Sequence, residues 1–412
     1  MKSFAFFFLA LLAAYALISA PSVASDFTLN IFGNANMDDI IDEKDTAYVE
    51  GVIDKTNAPT NLSDANHDGK IDENDISQIA QIIAGEEEEL IIIDSSNRTV
   101  VVKLPVDSIV SLSHTSAEAI KILGAKDRII GVEQNVADKT AFFPDLSRLP
   151  VMKSGSSPDY EMILEAKPDL VIGYHTSAAE YAGKLDAHLT VVGLGFYQPK
   201  KMSQEIAMLG YLLGRTEEAY EFIDFCESYL DTIHQRVSEL TEDEKVSAYL
   251  EQNSDLKASG NGSGTNELCE MAGGVNIAVD LVGSYPTVDP EWVITEDPDV
   301  MVKSVNHGDK YAGYEKDTTK DIEELRNSFT NRTGWQMIKA VQNERVFMWS
   351  DSISTKPSFF IGVAYLAKLF YPELFDDLNP QAIHQEYLTR FHRLDYDLDK
   401  HGVFVYPSIT ES

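Results

Sequence analysis

The sequence has 412 residues, enough for two or three domains, and its 67 acidic and 33 basic side chains give a formal net charge of -34. This excess of acids argues against a nucleic-acid partner, because phosphate binding requires clustered Lys and Arg side chains. With 44% hydrophobic and 10% aromatic residues, the chain can bury substantial cores, which excludes a disordered acidic tail.

The chain begins with the pattern of a secretory signal. Lys2 precedes an apolar run over residues 4–20, and a small-residue cleavage pattern follows. We therefore expect residues 1–24 to be a signal peptide, and the mature protein to be secreted to a periplasm or to the extracellular cell surface. The alternative is a retained membrane anchor, but the run is near the lower length limit for a span. For the two cysteines, Cys226 and Cys269, we expect separately buried thiols rather than a disulfide framework.

A repeat of period 30 follows, over residues 34–85. Each copy has oxygen-bearing side chains at positions 1, 3, 5, 9 and 12 of a loop, a backbone carbonyl at position 7, and an apolar-rich helix after the loop. This spacing predicts two calcium loops. The predicted ligands are Asn34, Asn36, Asp38, Ile40, Asp42 and Asp45 in loop one, and Asp64, Asn66, Asp68, Lys70, Asp72 and Asp75 in loop two. We expect loop one to bind more weakly, because Asn34 replaces an acidic first ligand and Asp39 stands where loop two has the turn residue Gly69.

Two such loops, each followed but not preceded by a helix and each with Asp at position 12, resemble a type I dockerin. The resemblance implies a small all-α, EF-hand-like module over residues 26–85 that binds up to two Ca²⁺ ions and docks on a cohesin-like domain. The alternatives are solvated turns that bind no ion, and a module that only spaces the next domain from a surface. Residues 26–89 carry 17 acidic and three basic side chains, and we place an acidic connector and lead strand over residues 86–98.

A second repeat, with an offset of 130 residues, organises the rest of the chain. The run EMILEAKPDLVIG, which opens at Glu161, returns as EWVITEDPDVMVK from Glu291, and each predicts a short helix, Pro-Asp and a strand. Two copies of one αβ unit predict an α/β fold with two similar lobes and mainly parallel sheets. The predicted segments are lobe 1 over 99–200, a linking helix segment over 201–244, lobe 2 over 245–375, and a C-terminal helical extension over 376–412.

A long helix is predicted between the lobes, because apolar residues recur every three or four positions from Glu217 to Leu240. A single stiff crossover restricts lobe motion, so we expect only small domain movement on ligand binding. The predicted strands are 108–112, 128–132, 170–173 and 190–194 in lobe 1, and 246–250, 300–304 and 345–349 in lobe 2.

Four runs occur in the order typical of one family: SLSHTSAEAIKILGAKDRIIGVEQ, PDYEMILEAKPDLVIG, ELCEMAGGVNIA and DPEWVITEDPDVMV. They resemble the class III substrate-binding proteins of ABC importers for ferric siderophores, haem and cobalamin, over about residues 99–375. The resemblance implies that Glu161 and Glu291, one per lobe, contact the two copies of a homodimeric membrane permease. Carboxylates near helix starts on symmetry-related lobes suit a two-fold partner. The alternative is that each is an ordinary helix-start glutamate.

A ligand pocket is predicted between the lobes, at the carboxyl ends of the strands. The polar and aromatic residues at these ends are His114, Tyr174, His175, Phe196, Tyr197, Gln252, His307, Tyr311 and Trp349. Aromatic rings suit a macrocycle or a catechol, and His or Tyr can ligate iron, but a single strand-end histidine is more often a surface or hydrogen-bonding residue. Because arginines are absent from these positions, we expect cobalamin, haem or a less charged chelate rather than a carboxylate-rich or tri-catecholate siderophore.

We expect this receptor to be no enzyme. The sequence lacks a GxSxG elbow and an HExxH motif, and its glycine-rich run ASGNGSGTNE lacks the GK[ST] ending of a phosphate loop. Two alternatives remain open at this point. One is a dockerin-bearing extracellular enzyme such as a glycosidase with paired carboxylates, and the other is a scaffold or sensor protein that binds a ligand but transports nothing.

Overall fold

The computed structural model describes residues 27–185, 188–305 and 310–409, and the predicted signal peptide lies outside these ranges. None of the helices in these ranges combines the length and the apolar character that a membrane span requires. The described chain forms a small N-terminal module, two α/β lobes and a C-terminal extension.

The N-terminal module contains two helices, one after each predicted calcium loop. They are α1 (Glu43–Ile53) and α2 (Glu73–Ala84), and they pack against each other. Each helix begins with a capping box, in which Asp42 or Asp72 caps the helix and the carboxylate three residues later bonds back to the cap residue's amide. The same local sequence therefore starts both helices in the same way.

An antiparallel hairpin of two strands, β1 (Glu89–Ile93) and β2 (Thr99–Lys103), follows the module. It crosses the predicted division at residue 99, so the lead strand and the first residues assigned to lobe 1 form one element. The module also extends this hairpin, because Ile31 makes an antiparallel bridge with Ile92. The module is thus packed directly on the receptor part of the chain, and one continuous apolar core includes residues of both.

Lobe 1 is built on a six-stranded sheet. Its strands are β3 (Ile109–Ser111), β4 (Ile129–Glu133), β5 (Val151–Ser154), β6 (Ser157–Pro158), β7 (Leu170–Gly173) and β8 (Thr190–Gly193). Its helices are α3 (His114–Ile122), α4 (Gln134–Asp138), α5 (Tyr160–Ala166) and α6 (His175–Leu185). The strand order is β6-β5-β4-β3-β7-β8, and every neighbouring pair is parallel except β5 with β6. The order reverses beside β3, which places the carboxyl ends of β3 and β7 at a topological switch point.

Two antiparallel-packed helices rather than one occupy the predicted linking segment: α7 (Met202–Leu213) and α8 (Thr216–Val237). Gly214 ends α7 in a left-handed conformation, with a φ of 58°, which glycine adopts at no steric cost. The prediction of a single long helix over 217–240 is confirmed for α8, which begins one residue earlier and ends three residues earlier. Its 22 residues span about 33 Å at ~1.5 Å per residue.

Lobe 2 repeats the plan of lobe 1. Its strands are β9 (Ser247–Glu251), β10 (Val275–Asn276), β11 (Val300–Val305) and β12 (Val346–Ser350). Its helices are α9 (Gly264–Met271), α10 (Pro290–Glu296), α11 (Lys320–Thr330), α12 (Lys339–Gln342) and α13 (Phe359–Phe370). The strand order is β10-β9-β11-β12, with parallel pairing throughout these four strands, and a fifth strand from the end of the chain joins β12. The predicted two-lobe α/β architecture is confirmed, and both sheets are mixed: mainly parallel, with one antiparallel pair each.

The C-terminal extension is only partly helical, contrary to the prediction. It consists of α14 (Pro380–Arg390) and a short strand, β13 (Val405–Tyr406), which pairs antiparallel with β12. The Tyr387 hydroxyl on α14 donates to a carboxylate oxygen of Glu118 in lobe 1. The extension therefore contacts both lobes, since β13 belongs to the sheet of lobe 2.

Both cysteines are buried and free, which confirms the expectation of two separate thiols. Cys226 lies on α8 and Cys269 on α9. Burial raises the pKa of each thiol above its usual range, so both stay protonated and inert.

Candidate functional site

The repeated αβ unit places Glu161 and Glu291 at equivalent positions, second in α5 and in α10. Asp159 caps α5 by accepting from the Met162 amide at 3.0 Å, and Asp289 caps α10 by accepting from the Glu291 amide at 2.8 Å. Both glutamates are exposed, as a docking role requires.

The units that carry these glutamates are anchored identically in the two lobes. Each helix ends at a non-glycine residue in the left-handed region, Lys167 or Asp297, with φ values of 47° and 48°. The Pro-Asp pair that follows places an aspartate carboxylate within hydrogen-bonding distance of a serine, at the start of β3 in lobe 1 and of β9 in lobe 2. Asp169 accepts from the Ser108 amide and hydroxyl, both at 2.8 Å, and Asp299 accepts from the Ser247 amide at 3.1 Å and hydroxyl at 2.7 Å.

Three of the predicted ligand residues form an aromatic cluster at the carboxyl ends of β7 and β8. The His175 and Tyr197 rings are stacked, with centroids 5.2 Å apart and an interplanar angle of 7°, and Tyr174 lies 4.8 Å and 5.2 Å from them. All three are half-buried, and burial lowers the pKa of His175, so its imidazole is neutral near pH 7. The cluster offers a partly exposed aromatic surface.

Lobe 2 lies against this cluster. A Cβ added to Gly264, at the start of α9, would lie 3.2 Å from the Tyr197 carbonyl oxygen and 2.5 Å from Thr355. Burial raises the pKa of Tyr197, and Tyr285 of lobe 2 is close enough to raise it further. The aromatic cluster is therefore at the contact between the lobes, where the pocket was predicted.

His114 belongs to a charged group at the start of α3. Its Nδ1 lies 3.0 Å from an oxygen of Glu133, at the end of β4, and the Lys153 ammonium lies 3.4 Å from the other oxygen. Burial alone would raise the pKa of Glu133, but His114 and Lys153 outweigh it and hold this pKa at about 2. Burial lowers the pKa of His114, and Lys356 of lobe 2 lowers it further. The group thus contains a carboxylate that is ionised at neutral pH, and Lys356 of lobe 2 lies close enough to act on His114.

Phe196 and Trp349 do not reach the surface of the pocket. Both are fully buried. The Phe196 amide donates to Glu205, which holds the loop after β8, and the Trp349 indole donates to the Ser304 hydroxyl at 2.9 Å. Their predicted role in ligand contact is therefore corrected to a packing role.

The remaining predicted residues lie in lobe 2. Gln252 donates to the Ser259 hydroxyl at 2.5 Å, which fixes it within its own lobe. Tyr311 lines a separate cavity of about 360 Å³ together with Lys303 and Asn253. His307 lies outside the described residues.

Sequence reasoning missed the charged partners of His114 and the contribution of Tyr285. Glu133 is the last residue of β4, and Lys356 follows β12 after one short helical turn, but a charged residue at or after a strand end usually indicates a solvated turn. The pairing of β4 with β3 brings Glu133 beside His114. For Glu133, the signal was its position directly after the predicted strand 128–132.

The two predicted calcium loops differ in the surroundings of their first position. Asn34, the first predicted ligand of loop one, is fully buried; its amide group donates to the carbonyls of Leu29 at 2.8 Å and Asp38 at 2.6 Å, and its Oδ1 has no partner. Burial raises the pKa of Asp45, the last ligand of this loop, to about 6. An orphaned oxygen and a buried carboxylate at ligand positions fit a hard cation.

Loop two differs at its first position, where the side-chain oxygens have backbone partners: Asp64 accepts from the amides of Asp68 at 3.0 Å and Gly69 at 2.9 Å. At position 12, Asp75 accepts from the amides of Asn66 and Asp72, and Asp45 of loop one likewise accepts from the amides of Asn36 and Asp42. Within the part of the chain that the structure describes, no group of three or more His, Cys, Asp or Glu side chains is arranged around one point as a metal site. Calcium binding therefore stays a prediction for both loops.

Comparison with known proteins places these features in context. Residues 109–352 match a protein family described as periplasmic binding protein. The chain is similar to an uncharacterized ABC transporter substrate-binding lipoprotein of Bacillus subtilis, with 26% identity over 69% of this chain and 86% of that protein. It is also similar to a molybdate-binding protein of Haemophilus influenzae, with 23% identity over 75% of this chain and 92% of the relative.

A cobalamin-binding protein of Halobacterium salinarum is 25% identical over 52% of this chain and 58% of its own length. Among solved structures, a TroA-like periplasmic binding protein from Veillonella parvula superposes with a TM-score of 0.66. It is 24% identical and covers 76% of this chain and 98% of its own. This likeness shows that the folds are the same.

Proposed function

Since this chain belongs to the periplasmic binding protein family, we propose that it is an extracytoplasmic solute receptor that delivers a metal complex to an ABC importer. Relatives with the same fold are substrate-binding proteins of ABC transporters, which are not enzymes. The proposed ligand is an iron complex, either a siderophore or haem, or cobalamin. Binding of cobalamin by a relative supports this class, and molybdate in another relative adds an oxyanion to the ligands that need testing.

The observation that carries the proposal is the aromatic cluster of Tyr174, His175 and Tyr197 at the contact between the lobes. Its aromatic rings, of which those of His175 and Tyr197 are parallel, suit contact with a macrocycle, and a neutral imidazole is the form that ligates a metal. The carboxyl ends of strands in open α/β sheets are also where ligands bind.

Isothermal titration calorimetry with cobalamin, haem, a ferric siderophore panel and molybdate tests this proposal. Combining His175→Ala with Tyr197→Ala should lower the affinity for the ligand about tenfold or more. Each aromatic stacking contact contributes about 0.5–1.5 kcal/mol beyond burial. The control is His234→Ala, an exposed histidine on α8. Unchanged affinity in the double variant would place the ligand elsewhere.

Delivery to the permease is proposed for Glu161 and Glu291. With Glu161→Lys and Glu291→Lys combined, uptake should collapse while ligand affinity stays at the wild-type value, because both side chains are exposed and neither belongs to the aromatic cluster. Glu165→Lys with Glu296→Lys, which alters the exposed acids on the same two helices, is the matched control. Equal uptake in both pairs would reject the docking role.

For the N-terminal module we propose binding of up to two Ca²⁺ ions, with a cohesin-like domain as the partner that its resemblance implies. The buried, unpartnered Oδ1 of Asn34 supports an ion in loop one. Calcium titration of the full chain should show a binding heat that Asp64→Ala with Asp68→Ala reduces by removing loop two. An identical binding heat in this variant and in the wild type would show that loop two is a turn that binds no ion.

A further inference from the structure

The N-terminal module is attached to lobe 1 through its backbone as well as through packing. The Phe32 amide donates to the Ile91 carbonyl at 2.8 Å, and the Ile93 amide donates to the Asn30 carbonyl at 2.9 Å. These bonds continue the β1–β2 hairpin into the module. The module is therefore held in one position on lobe 1.

Loop one also contacts the helix pair that links the lobes. The Ile41 amide donates to the Tyr211 hydroxyl on α7 at 3.0 Å, and the Tyr220 hydroxyl on α8 donates to the Asp39 carbonyl. Both bonds reach the backbone of the loop between its predicted ligands. Any change in the path of loop one must therefore move or break a contact with α7 or α8.

The side-chain oxygen of Asn34, the first predicted ligand of loop one, has no hydrogen-bond partner. Asn34 is fully buried, and both hydrogens of its amide group are used to hold the loop. A buried carbonyl oxygen without a partner is unfavourable, and a cation bound in the loop would remove that cost. Loop one is thus the loop in which an ion changes the stability of a buried region.

Loop two differs in this respect. Both carboxylate oxygens of its first predicted ligand, Asp64, accept from amides of the same loop. At position 5 the two loops are alike, because Asp38 accepts from the Ile40 amide as Asp68 does from the Lys70 amide. Asp64 and Asp68 are more exposed than Asn34. An ion there would organise the loop itself.

We propose that calcium in loop one is thermodynamically linked to the stability of α7 and α8, so that the ion rigidifies the connection between the two lobes. The inference rests on the proposed calcium binding of the module. A ligand that binds only the folded, ordered form of a region stabilises that region by mass action. Tyr211 and Tyr220 are the residues that transmit the effect.

Hydrogen–deuterium exchange of the full chain, with calcium and with a chelator, tests the link. In the wild type, calcium should slow exchange of the amides in α7 and α8 severalfold. The matched variants are Asp38→Ala in loop one and Asp68→Ala in loop two, which remove the same loop position. The slowing should be lost with Asp38→Ala and retained with Asp68→Ala.

Tyr211→Phe with Tyr220→Phe separates transmission from binding. This double variant keeps the rings and every predicted ligand, so calcium should still bind by calorimetry while the protection of α7 and α8 falls. If calcium binds to the wild type and exchange in these helices does not change, the link is wrong and the calcium site stands. If no binding heat is detected, the calcium proposal and the link fall together.

Discussion

The two lobes share one scaffold and differ at their strand ends. Both anchor a short helix through an aspartate that bonds to a serine, Asp169 to Ser108 and Asp299 to Ser247. Four residues after each serine, however, lobe 1 has the buried apolar Leu112, and lobe 2 has Glu251 in a buried ionic network. The two lobes are therefore equivalent at the anchors of Glu161 and Glu291, and they differ at the strand ends, where the pocket was predicted.

Removing the Glu251 side chain should destabilise lobe 2 and give the largest of the expected losses in stability. Its carboxylate is 1% exposed and holds the buried Lys303 ammonium at 2.7 Å and the Arg332 guanidinium through two bonds of 2.7 Å and 2.9 Å. Glu251→Ala leaves two cations without their main partner, so we expect a loss of about 3–5 kcal/mol in the free energy of unfolding. Urea denaturation measures it. A loss below about 1 kcal/mol would show that the network is not needed.

Acid should loosen the extension that joins the lobes. Burial lowers the pKa of His384 to about 3, below the ~6.5 of an unfolded histidine, so the unfolded state binds more protons as pH falls. Stability is therefore lost between about pH 6.5 and 3, by up to about 1.4 kcal/mol per pH unit. Glu118 opposes this trend, because burial raises its pKa. His384→Phe should flatten the pH dependence of unfolding, and an unchanged slope would contradict the prediction.

The anchoring aspartates test whether the repeat is equivalent in energy as well as in geometry. Asp169→Ala removes two hydrogen bonds to Ser108 and one to the Asp107 amide, Asp299→Ala removes two to Ser247, and we expect about 1–2 kcal/mol for each variant. The loss should be somewhat larger for Asp299, which is less exposed. Thermal unfolding of the two variants gives the comparison. If the two variants differ by more than about 2 kcal/mol in their loss of stability, the two anchors are not equivalent in energy.

The smallest effect is expected at an exposed ion pair of lobe 1. Lys184 and Glu180 lie 3.2 Å apart on α6 with 51% and 65% of their side chains exposed. Solvent screens such a pair, so Glu180→Gln should change stability by less than about 0.5 kcal/mol, and less at high salt. A larger change in the same urea assay would indicate that exposed charges matter more in lobe 1 than the comparison assumes.

The sequence predicted best what is encoded locally. The helix, Pro-Asp and strand of the repeat form as expected, and β7 has the predicted bounds of 170–173, because capping and apolar runs act within a few residues. The short edge strands β10 and β13 were not predicted. Two residues carry too little periodicity, and their pairing is decided by distant chain.

The site was predicted less completely, because burial depends on packing between elements. Trp349 follows the same pattern as Tyr174, but α13 approaches it closely: a Cβ on Gly362 would lie 3.4 Å from the indole ring. This approach covers Trp349, whereas Tyr174 stays half-buried at the contact between the lobes. Position along a strand alone does not separate these two outcomes.

The attachment of the N-terminal module to the hairpin also bears on how such a gene could recombine. A breakpoint between residues 84 and 89 would separate the module from the β1 edge that bonds to Asn30 and Phe32, and from Tyr211 and Tyr220. The receptor left behind would expose an apolar strand and unpaired backbone groups, and the transferred segment would lose part of its core. Despite its repeats, we expect this region to fold poorly when it is separated from lobe 1.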